Sequence, residues 1–272
     1  MKWRGKRKSL TVDQLAEDFL EHSNAEDLRN YIPRFLRAQG KGWGSSTTKF
    51  EVSVVKGLLE NLNEDIVFFD IGANVGNYTR DLLNEFPNSK VVAFEPSHAA
   101  YETLRGNLAF DERVTLVNLA CGRSEYDAQL YSDFPGSGMA SLAKRRLDHF
   151  GLINDFSENV RVTTLDAWCH TNLVWPKVIK MDVEGYELDV LHGALEALER
   201  VALIQFEFGG CNIDTRTYFQ DFWYFFKEKD FRLFRISPTG PVRIDEYSEF
   251  DECFSTTNYI ALSKQLTNKE IM

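Results

Sequence analysis

Residues 66–76, Ile-Val-Phe-Phe-Asp-Ile-Gly-Ala-Asn-Val-Gly, constrain the fold of this chain more than any other segment. An apolar run ends at Asp70, and a turn bounded by Gly72 and Gly76 follows it. The next apolar run is closed by Glu95, 19 residues beyond Gly76. A strand, a glycine turn and a helix, followed by a strand that ends in an acidic residue, are typical of a nucleoside-binding crevice on a parallel sheet.

Strand and helix patterns alternate from residue 65 onward. Strand-like runs and helical patterns follow one another at 65–70, 75–86, 90–95, 98–109, 114–119, 177–182, 186–198 and 201–207. Short strands separated by helices predict βαβ units, which build a parallel sheet with right-handed crossovers. The sequence therefore predicts an α/β fold.

The interval 122–176 interrupts this alternation. Residues 127–131 and 160–165 alternate like two antiparallel strands, and a polar loop that contains Gly-Ser-Gly at 136–138 separates them. We expect a β-hairpin and loop insertion, which on an α/β scaffold usually shapes a substrate site.

Both ends of the chain depart from the central pattern. Helical patterns predict an N-terminal helical extension over residues 1–60. The α/β domain is predicted over 61–264, and a short C-terminal tail over 265–272. Near the end of the domain, strands at 231–236 and 258–263 fit an antiparallel hairpin at the sheet edge.

Charge and cysteine content exclude several classes of protein. A formal net charge of -10 argues against a nucleic-acid binder, which needs a positive surface. Residues 1–8 are basic, which we interpret as a solvated terminus, with contact to an anionic membrane surface or to an acidic substrate as the alternatives. The four cysteines include no Cys-x-x-Cys pair, and no apolar stretch reaches the ~20 residues of a membrane span. We expect a cytoplasmic protein with free thiols, and the sequence leaves its oligomeric state open.

The spacing of the glycines indicates which nucleoside binds. Dinucleotide-binding turns place a second glycine where the pyrophosphate approaches the backbone, and here that position is Asn74. A nucleoside without phosphates, such as S-adenosylmethionine, fits better. Its sulfonium and amino groups favour a carboxylate such as Asp70, and Glu95 is placed to accept its ribose hydroxyls. The alternative is a tight strand–helix turn with an incidental surface glutamate.

A second group of charged residues lies at 178–187, Val-Ile-Lys-Met-Asp-Val-Glu-Gly-Tyr-Glu. Lys180 and Asp182 point to the same face of a strand, so we expect them to pair with each other or with a ligand. Glu184 and Glu187 open the next helix, where capping is the alternative to a role in the site. Glu207 ends the fifth strand on the same rim of the sheet.

These motifs together resemble the FkbM family of S-adenosylmethionine-dependent methyltransferases. The matching segments are 69–76, 92–96 (Val-Ala-Phe-Glu-Pro), 118–120 (Asn-Leu-Ala), 164–166 (Thr-Leu-Asp) and 179–185. The resemblance implies a class I methyltransferase fold, a Rossmann-like, mostly parallel sheet of seven strands in the order 3-2-1-4-5-7-6 with strand 7 antiparallel. It also implies O-methylation of a sugar, glycan or related natural product.

The resemblance also assigns residues to the cofactor site and to the transferred methyl group. The predicted cofactor site comprises Asp70, Gly72, Asn74, Gly76, Asn77, Glu95, Pro96, Asn118, Ala120 and Asp182. The predicted catalytic residues are Asp182 and Glu207, either of which removes the acceptor proton, and Lys180, which holds the carboxylate. The predicted substrate-binding residues are Glu184, Ser141 and His149, and His149 is a third candidate base.

Several alternatives to this hypothesis stay open. A magnesium ion bound by Asp182, Glu184 and Glu207 is chemically reasonable, but the spacing does not require it and we predict no metal. A nicotinamide oxidoreductase uses a similar crevice but needs the missing glycine. A non-catalytic scaffold and a nucleic-acid methyltransferase are the other two, and the acidic balance disfavours the latter.

Overall fold

The computed structural model describes residues 14, 17, 19, 21–22, 24–44, 48–59 and 65–265. The basic segment 1–8, part of the predicted helical extension over 1–60 and nearly all of the predicted tail lie outside the described residues. Within the described part of the chain, no helix has both the length and the apolar character needed to cross a bilayer.

Helices and strands alternate through most of the described chain. The strands are β1 (Val67–Ile71), β2 (Lys90–Phe94), β3 (Val114–Val117), β4 (Ala120–Cys121), β5 (Tyr126–Ser132), β6 (Phe156–Thr163), β7 (Val178–Met181), β8 (Leu203–Phe208), β9 (Phe231–Ser237), β10 (Gly240–Ile244) and β11 (Thr257–Ser263). The α-helices are α1 (Ala25–Ala38), α2 (Thr48–Leu59), α3 (Asn77–Glu85), α4 (His98–Leu108), α5 (Leu165–Asn172), α6 (Glu187–His192), α7 (Cys211–Thr215) and α8 (Phe219–Glu228).

The main sheet has the strand order β10-β9-β11-β8-β7-β1-β2-β3. Five neighbouring strands, β3, β2, β1, β7 and β8, are parallel to one another. Strand β11 is antiparallel to both of its neighbours, β8 and β9. With β10 left aside and the strands numbered along the chain, the order is 3-2-1-4-5-7-6. The prediction of an α/β fold with a mostly parallel sheet is confirmed.

Two details of the predicted sheet are wrong. The sheet has eight strands, because β10 folds back on β9 through the two residues 238–239 and pairs antiparallel with it. Strands β9 and β11 are antiparallel partners, but they do not form an edge hairpin, since β11 lies between β8 and β9. The antiparallel hairpin at the edge is instead β9–β10.

Helices cover both faces of the main sheet. Alternate residues of β1 point to opposite sides, so Phe69 packs with Trp168 and Phe206 while Phe68 packs with the apolar residues of α2 and α3. Strands buried on both faces are typical of parallel sheets in α/β proteins. Helix α2 contributes Val52, Val55 and Leu59 to this core. The boundary between the extension and the domain at residue 60 stays a prediction.

The insertion forms a small sheet of its own, in the order β4-β6-β5. Strands β5 and β6 pair antiparallel over their full length, as the sequence pattern predicts, and β4 adds parallel to β6. The loop between β5 and β6 returns to pair Ser141 with Tyr131, and then passes through a short 3₁₀ helix at Asp148–Phe150. This arrangement places the loop beside the carboxyl ends of the main parallel strands.

Candidate active site

Gly72 and Gly76 each adopt a backbone conformation that side chains oppose. Gly72 has a φ of +78°, and a Cβ built on it would lie 1.9 Å from the carbonyl oxygen of Asp182. Gly76 has a φ of +87° and precedes α3, where an added Cβ would lie 2.7 and 2.6 Å from side-chain carbons of Leu104 and Leu108. Gly72 therefore lets the first turn touch the end of β7, and Gly76 lets the start of α3 approach Leu104 and Leu108 of α4.

Glu95 closes β2 and faces the cleft beside the glycine turn. Its two carboxylate oxygens accept hydrogen bonds from the backbone N–H of Asn74 and of Ser97, both at 2.8 Å. Burial raises the pKa of Glu95 from 4.5 to about 7, and these two hydrogen bonds only partly oppose the shift. Ionisation of Glu95 therefore lowers the free energy of unfolding. This loss is absent below pH about 4.5 and reaches roughly 3 kcal/mol above pH about 7. A carboxylate that lines a cleft although its ionisation destabilises the fold is a candidate for ligand binding.

Lys180 is a buried cation that joins three neighbouring groups at the sheet rim. Its Nζ lies 3.3 Å from Asp70 Oδ1 and 3.6 Å from Asp182 Oδ2, and it donates to the carbonyl oxygen of Gly72 at 3.2 Å. Burial alone would lower the pKa of Lys180, but attraction to Asp70 and Asp182 outweighs burial and raises it. The predicted pairing of Lys180 with Asp182 is therefore present, and it includes Asp70.

The cleft is bounded by the first glycine turn, the ends of β2 and β7, and the insertion. Of the residues predicted from the sequence, it is lined by Gly72, Asn74, Glu95, Pro96, Ala120, Asp182 and Glu184. The remaining wall consists of Ile71, Leu119, Cys121, Leu130, Ser137, Gly138, Ala140, Leu142, Val183 and Tyr186. The carboxylates of Glu95, Asp182 and Glu184 thus line a cleft with mixed polar and apolar walls, which suits a nucleoside that carries a cationic centre.

Comparison with known proteins identifies the family. The model of the methyltransferase FkbM domain matches residues 70–233, which is more than half of the chain. The chain belongs to the FkbM methyltransferase family. It is 28% identical over 182 residues to the hexuronic acid methyltransferase AglP of Haloferax volcanii, covering 65% of this chain and 71% of that protein. It is 30% identical over 197 residues to the 2-O-methyltransferase NoeI of Sinorhizobium fredii, covering 67% and 79%.

Solved structures show a more distant likeness. A putative caffeoyl-CoA O-methyltransferase from Staphylococcus aureus is 9% identical to this chain, with a TM-score of 0.46, and the alignment covers 92% of this chain and 98% of that one. The family match makes this protein a methyltransferase that uses S-adenosylmethionine. The cleft fits that cofactor, because the turn residues Gly72 and Asn74 and the carboxylates of Glu95 and Asp182 all line it.

Several residues predicted for the cofactor site of this FkbM methyltransferase lie outside the cleft lining. Asp70 is fully buried, and Thr79 Oγ1 donates to it at 2.6 Å, so its carboxylate anchors Lys180 instead of facing a ligand. Asn77 is exposed at the start of α3. The Asn118 side chain donates to the backbone oxygen of Glu95 at 2.8 Å and therefore fixes the rim of the cleft from behind.

The predicted substrate residues are also spread apart by the fold. Ser141 is buried, and its Oγ donates to the carbonyl oxygen of Glu184 at 2.8 Å, which ties the insertion to the β7 turn. His149 is exposed and packs against Phe150, with 4.1 Å between ring centroids and 40° between ring planes, and it does not line the cleft. The sequence around a histidine in a polar loop does not distinguish a residue that lines the cleft from one that lies on the surface.

The turn after β7 concentrates acidic groups. Glu187 is fully buried and accepts from the backbone N–H of Val183 at 2.9 Å and of Gly185 at 3.1 Å, so the capping interpretation describes its contacts. Burial raises its pKa to about 7. Glu184 has a φ of +54° and forms an ion pair with Arg145. Burial, and then repulsion by Asp182, raises the pKa of Glu184 to about 8.

Two residues that the sequence motifs do not single out hold the insertion in place. Arg145 is 7% exposed, and besides Glu184 it has Asp214 Oδ2 3.5 Å from its Nε. Its place in the basic run 144–146 is the signal that the sequence offers. Glu158 of β6 accepts from Ser97 Oγ at 2.8 Å and from the backbone N–H of His98 at 3.0 Å. Glu158 thereby clamps the insertion to the start of α4, directly after Glu95.

Proposed function

We propose that this protein transfers a methyl group to a hydroxyl of a saccharide or of a related natural product. The observation that carries the proposal is the position of Asp182, which lines the cleft and lies 3.6 Å from a buried lysine. The name of one relative, a hexuronic acid methyltransferase, supports a saccharide acceptor, and the name of another, a 2-O-methyltransferase, supports transfer to an oxygen atom. The free cysteines support a reducing, cytoplasmic location.

Residues at one end of the cleft would hold the cofactor. Glu95 would accept hydrogen bonds from the ribose hydroxyls, and the backbone from Gly72 to Asn74 would lie against the amino-acid portion. When bound, S-adenosylmethionine supplies a methyl group on a positively charged sulfur, which is a good leaving group. The protein's contribution is then to orient the acceptor hydroxyl and to remove its proton.

Asp182 is the residue that we assign as the proton acceptor. Its side chain is 40% exposed at the cleft, whereas Glu207 is 9% exposed and does not line it. Lys180 lies nearest Asp182 Oδ2, which leaves Oδ1 to take the proton from an acceptor hydroxyl. Because Lys180 also contacts Asp70 and Gly72, it fixes the position of Asp182 relative to the first turn.

The insertion would exclude water and select the acceptor. Ser137, Gly138, Ala140 and Leu142 line the cleft, and Gly138 is so close to Asn74 that an added Cβ would lie 3.0 Å from its side-chain nitrogen. The loop therefore covers the cleft on the side away from the sheet. A dry site strengthens the interaction between a carboxylate and a hydroxyl proton.

The test is transfer of a labelled methyl group to a panel of acceptors. The panel contains nucleotide sugars, free glycans, lipid-linked saccharides and non-saccharide alcohols, and products are identified by mass spectrometry. Asp182→Asn is expected to lower kcat by about 10²–10⁴-fold, the usual contribution of a general base, while binding of S-adenosylhomocysteine persists. Asp189→Asn is the matched control, because Asp189 is a half-buried acid on α6 that also pairs with a cation, Arg123, but lies outside the cleft lining. Wild-type activity in Asp182→Asn would reject the assignment, and labelling of non-saccharide alcohols alone would reject the acceptor class.

A further inference from the structure

Three potential metal ligands converge beside the cleft, where β7 and β8 end. Glu184 follows β7, Glu207 belongs to β8, and Cys211 is the first residue of α7. One carboxylate oxygen of each glutamate and the cysteine Sγ all lie within 4.8 Å of one another. Residues from three separate segments thus point at one small volume.

Glu207 has no partner of its own at this position. It is 9% exposed, and within the described residues its side-chain oxygens take part in no hydrogen bond or ion pair. Its charged neighbours are mostly acidic, namely Asp182, Glu184 and Glu187. A carboxylate buried among like charges needs either a proton or a cation to neutralise it.

The nearby cations are already engaged with other carboxylates. Lys180 contacts Asp70 and Asp182, and Arg145 contacts Glu184 and Asp214. Neither therefore neutralises Glu207 directly. The fold leaves an excess of negative charge at the junction of β7, β8 and α7, and one positive ion would balance it.

We propose that Glu184, Glu207 and Cys211 bind a divalent transition-metal ion. Two carboxylate oxygens and a thiolate sulfur suit zinc better than magnesium, because magnesium prefers oxygen ligands alone. Tetrahedral zinc with bonds of about 2.0–2.3 Å separates its ligand atoms by about 3.3–3.8 Å, so these atoms need to approach one another by no more than about 1.5 Å. The ion pair with Arg145 would orient Glu184 as a ligand.

This site goes beyond methyl transfer itself and does not depend on which acceptor is used. It differs from the magnesium site considered for the sequence, because Cys211 takes the place of Asp182 and leaves Asp182 free to accept a proton. Glu184 also lines the cleft, so a metal ion bound there borders the space available to the acceptor. An ion in that place acidifies a neighbouring hydroxyl.

The direct test is titration calorimetry of the chelator-treated full chain with Zn²⁺, without cofactor or acceptor. We expect one Zn²⁺ per chain, and at least about 100-fold weaker binding in both Glu207→Gln and Cys211→Ser, since loss of an outer-shell contact alone costs up to about that much. Matched controls are Glu199→Gln and Cys253→Ser, an exposed acid and a partly buried thiol that belong to neither site. These controls are expected to bind Zn²⁺ like the wild type.

Two further readouts separate lost ligands from lost folding. Binding of S-adenosylhomocysteine by the variants shows that the fold is retained. Addition of Co²⁺ to the wild type should give a thiolate-to-metal charge-transfer band, which Cys211→Ser should lack. Absence of saturable Zn²⁺ binding, or equal affinity in wild type, Glu207→Gln and Cys211→Ser, would overturn the proposal. Because no methyl transfer is measured, such a failure leaves the proposed function standing.

Discussion

Replacing Gly72 by alanine tests whether contact between the first turn and β7 builds the cofactor site. The added Cβ would lie 1.9 Å from the carbonyl oxygen of Asp182, whereas real contacts essentially never fall below 3.0 Å. Either the turn or the end of β7 must therefore move by about 1 Å, a displacement large enough to disturb catalytic positioning. Both Asp182 and the backbone facing the cofactor would be displaced.

The cost of this substitution has two parts. An alanine at a φ of +78° loses about 1–2 kcal/mol, because its Cβ crowds the neighbouring carbonyl oxygen. Moving the end of β7 adds backbone strain of about 1–3 kcal/mol. We expect Gly72→Ala to lower the free energy of unfolding by about 2–5 kcal/mol and to weaken S-adenosylhomocysteine binding at least tenfold.

Denaturant unfolding and titration calorimetry measure these two quantities. Gly106→Ala is the matched control, because Gly106 lies inside α4 and an added Cβ meets nothing within 4 Å. That change should raise the free energy of unfolding by about 0.5–1 kcal/mol and leave cofactor affinity unchanged. Wild-type stability together with wild-type affinity in Gly72→Ala would refute the reasoning, since both effects follow from one close contact.

Three further predictions concern the rim of the cleft and the core. Glu95 has a pKa of about 7, and ribose hydroxyls bond best to its ionised form. Affinity for S-adenosylhomocysteine, measured by calorimetry, should therefore fall by about tenfold from pH 8 to pH 6. Glu95→Gln should bind more weakly and show no such dependence on pH. Glu158→Gln should weaken the same binding by about two- to tenfold, without changing the pH slope, because glutamine keeps only one of the two oxygens that accept hydrogen bonds from Ser97 and His98. Phe206→Ala should lower the free energy of unfolding by about 3–5 kcal/mol, because Phe206 is fully buried; a cost below 1 kcal/mol in denaturant melts would contradict this packing.

The local pattern of the sequence predicted the frame of the site. The strand that ends at Asp70, the turn from Gly72 to Gly76 and the strand that ends at Glu95 all lie where their sequence patterns place them. Such patterns are readable because backbone sterics and the alternation of apolar residues act over a few neighbouring positions. The pairing of Lys180 with Asp182 follows from the same period-2 rule.

The roles of individual carboxylates depended on contacts between distant segments. Asp70 has the sequence context of a ligand-binding residue, but Thr79 and Lys180 engage its carboxylate in a fully buried position. Glu158 carries no sequence signal, and it reaches the start of α4 only because the insertion folds back on the main domain. Likewise, β10 pairs with β9 through a short turn that the strand pattern alone did not reveal.

The sequence by itself determined the fold class, the family and the positions of Gly72, Glu95 and Asp182 at the ends of strands. Only the tertiary structure decided which acidic groups are paired, which line the cleft, and that Glu184, Glu207 and Cys211 meet at one point. The physical reason is the distance along the chain over which each property is determined. Backbone conformation follows from adjacent residues, whereas the ionisation and the partners of a buried side chain depend on every segment that packs around it.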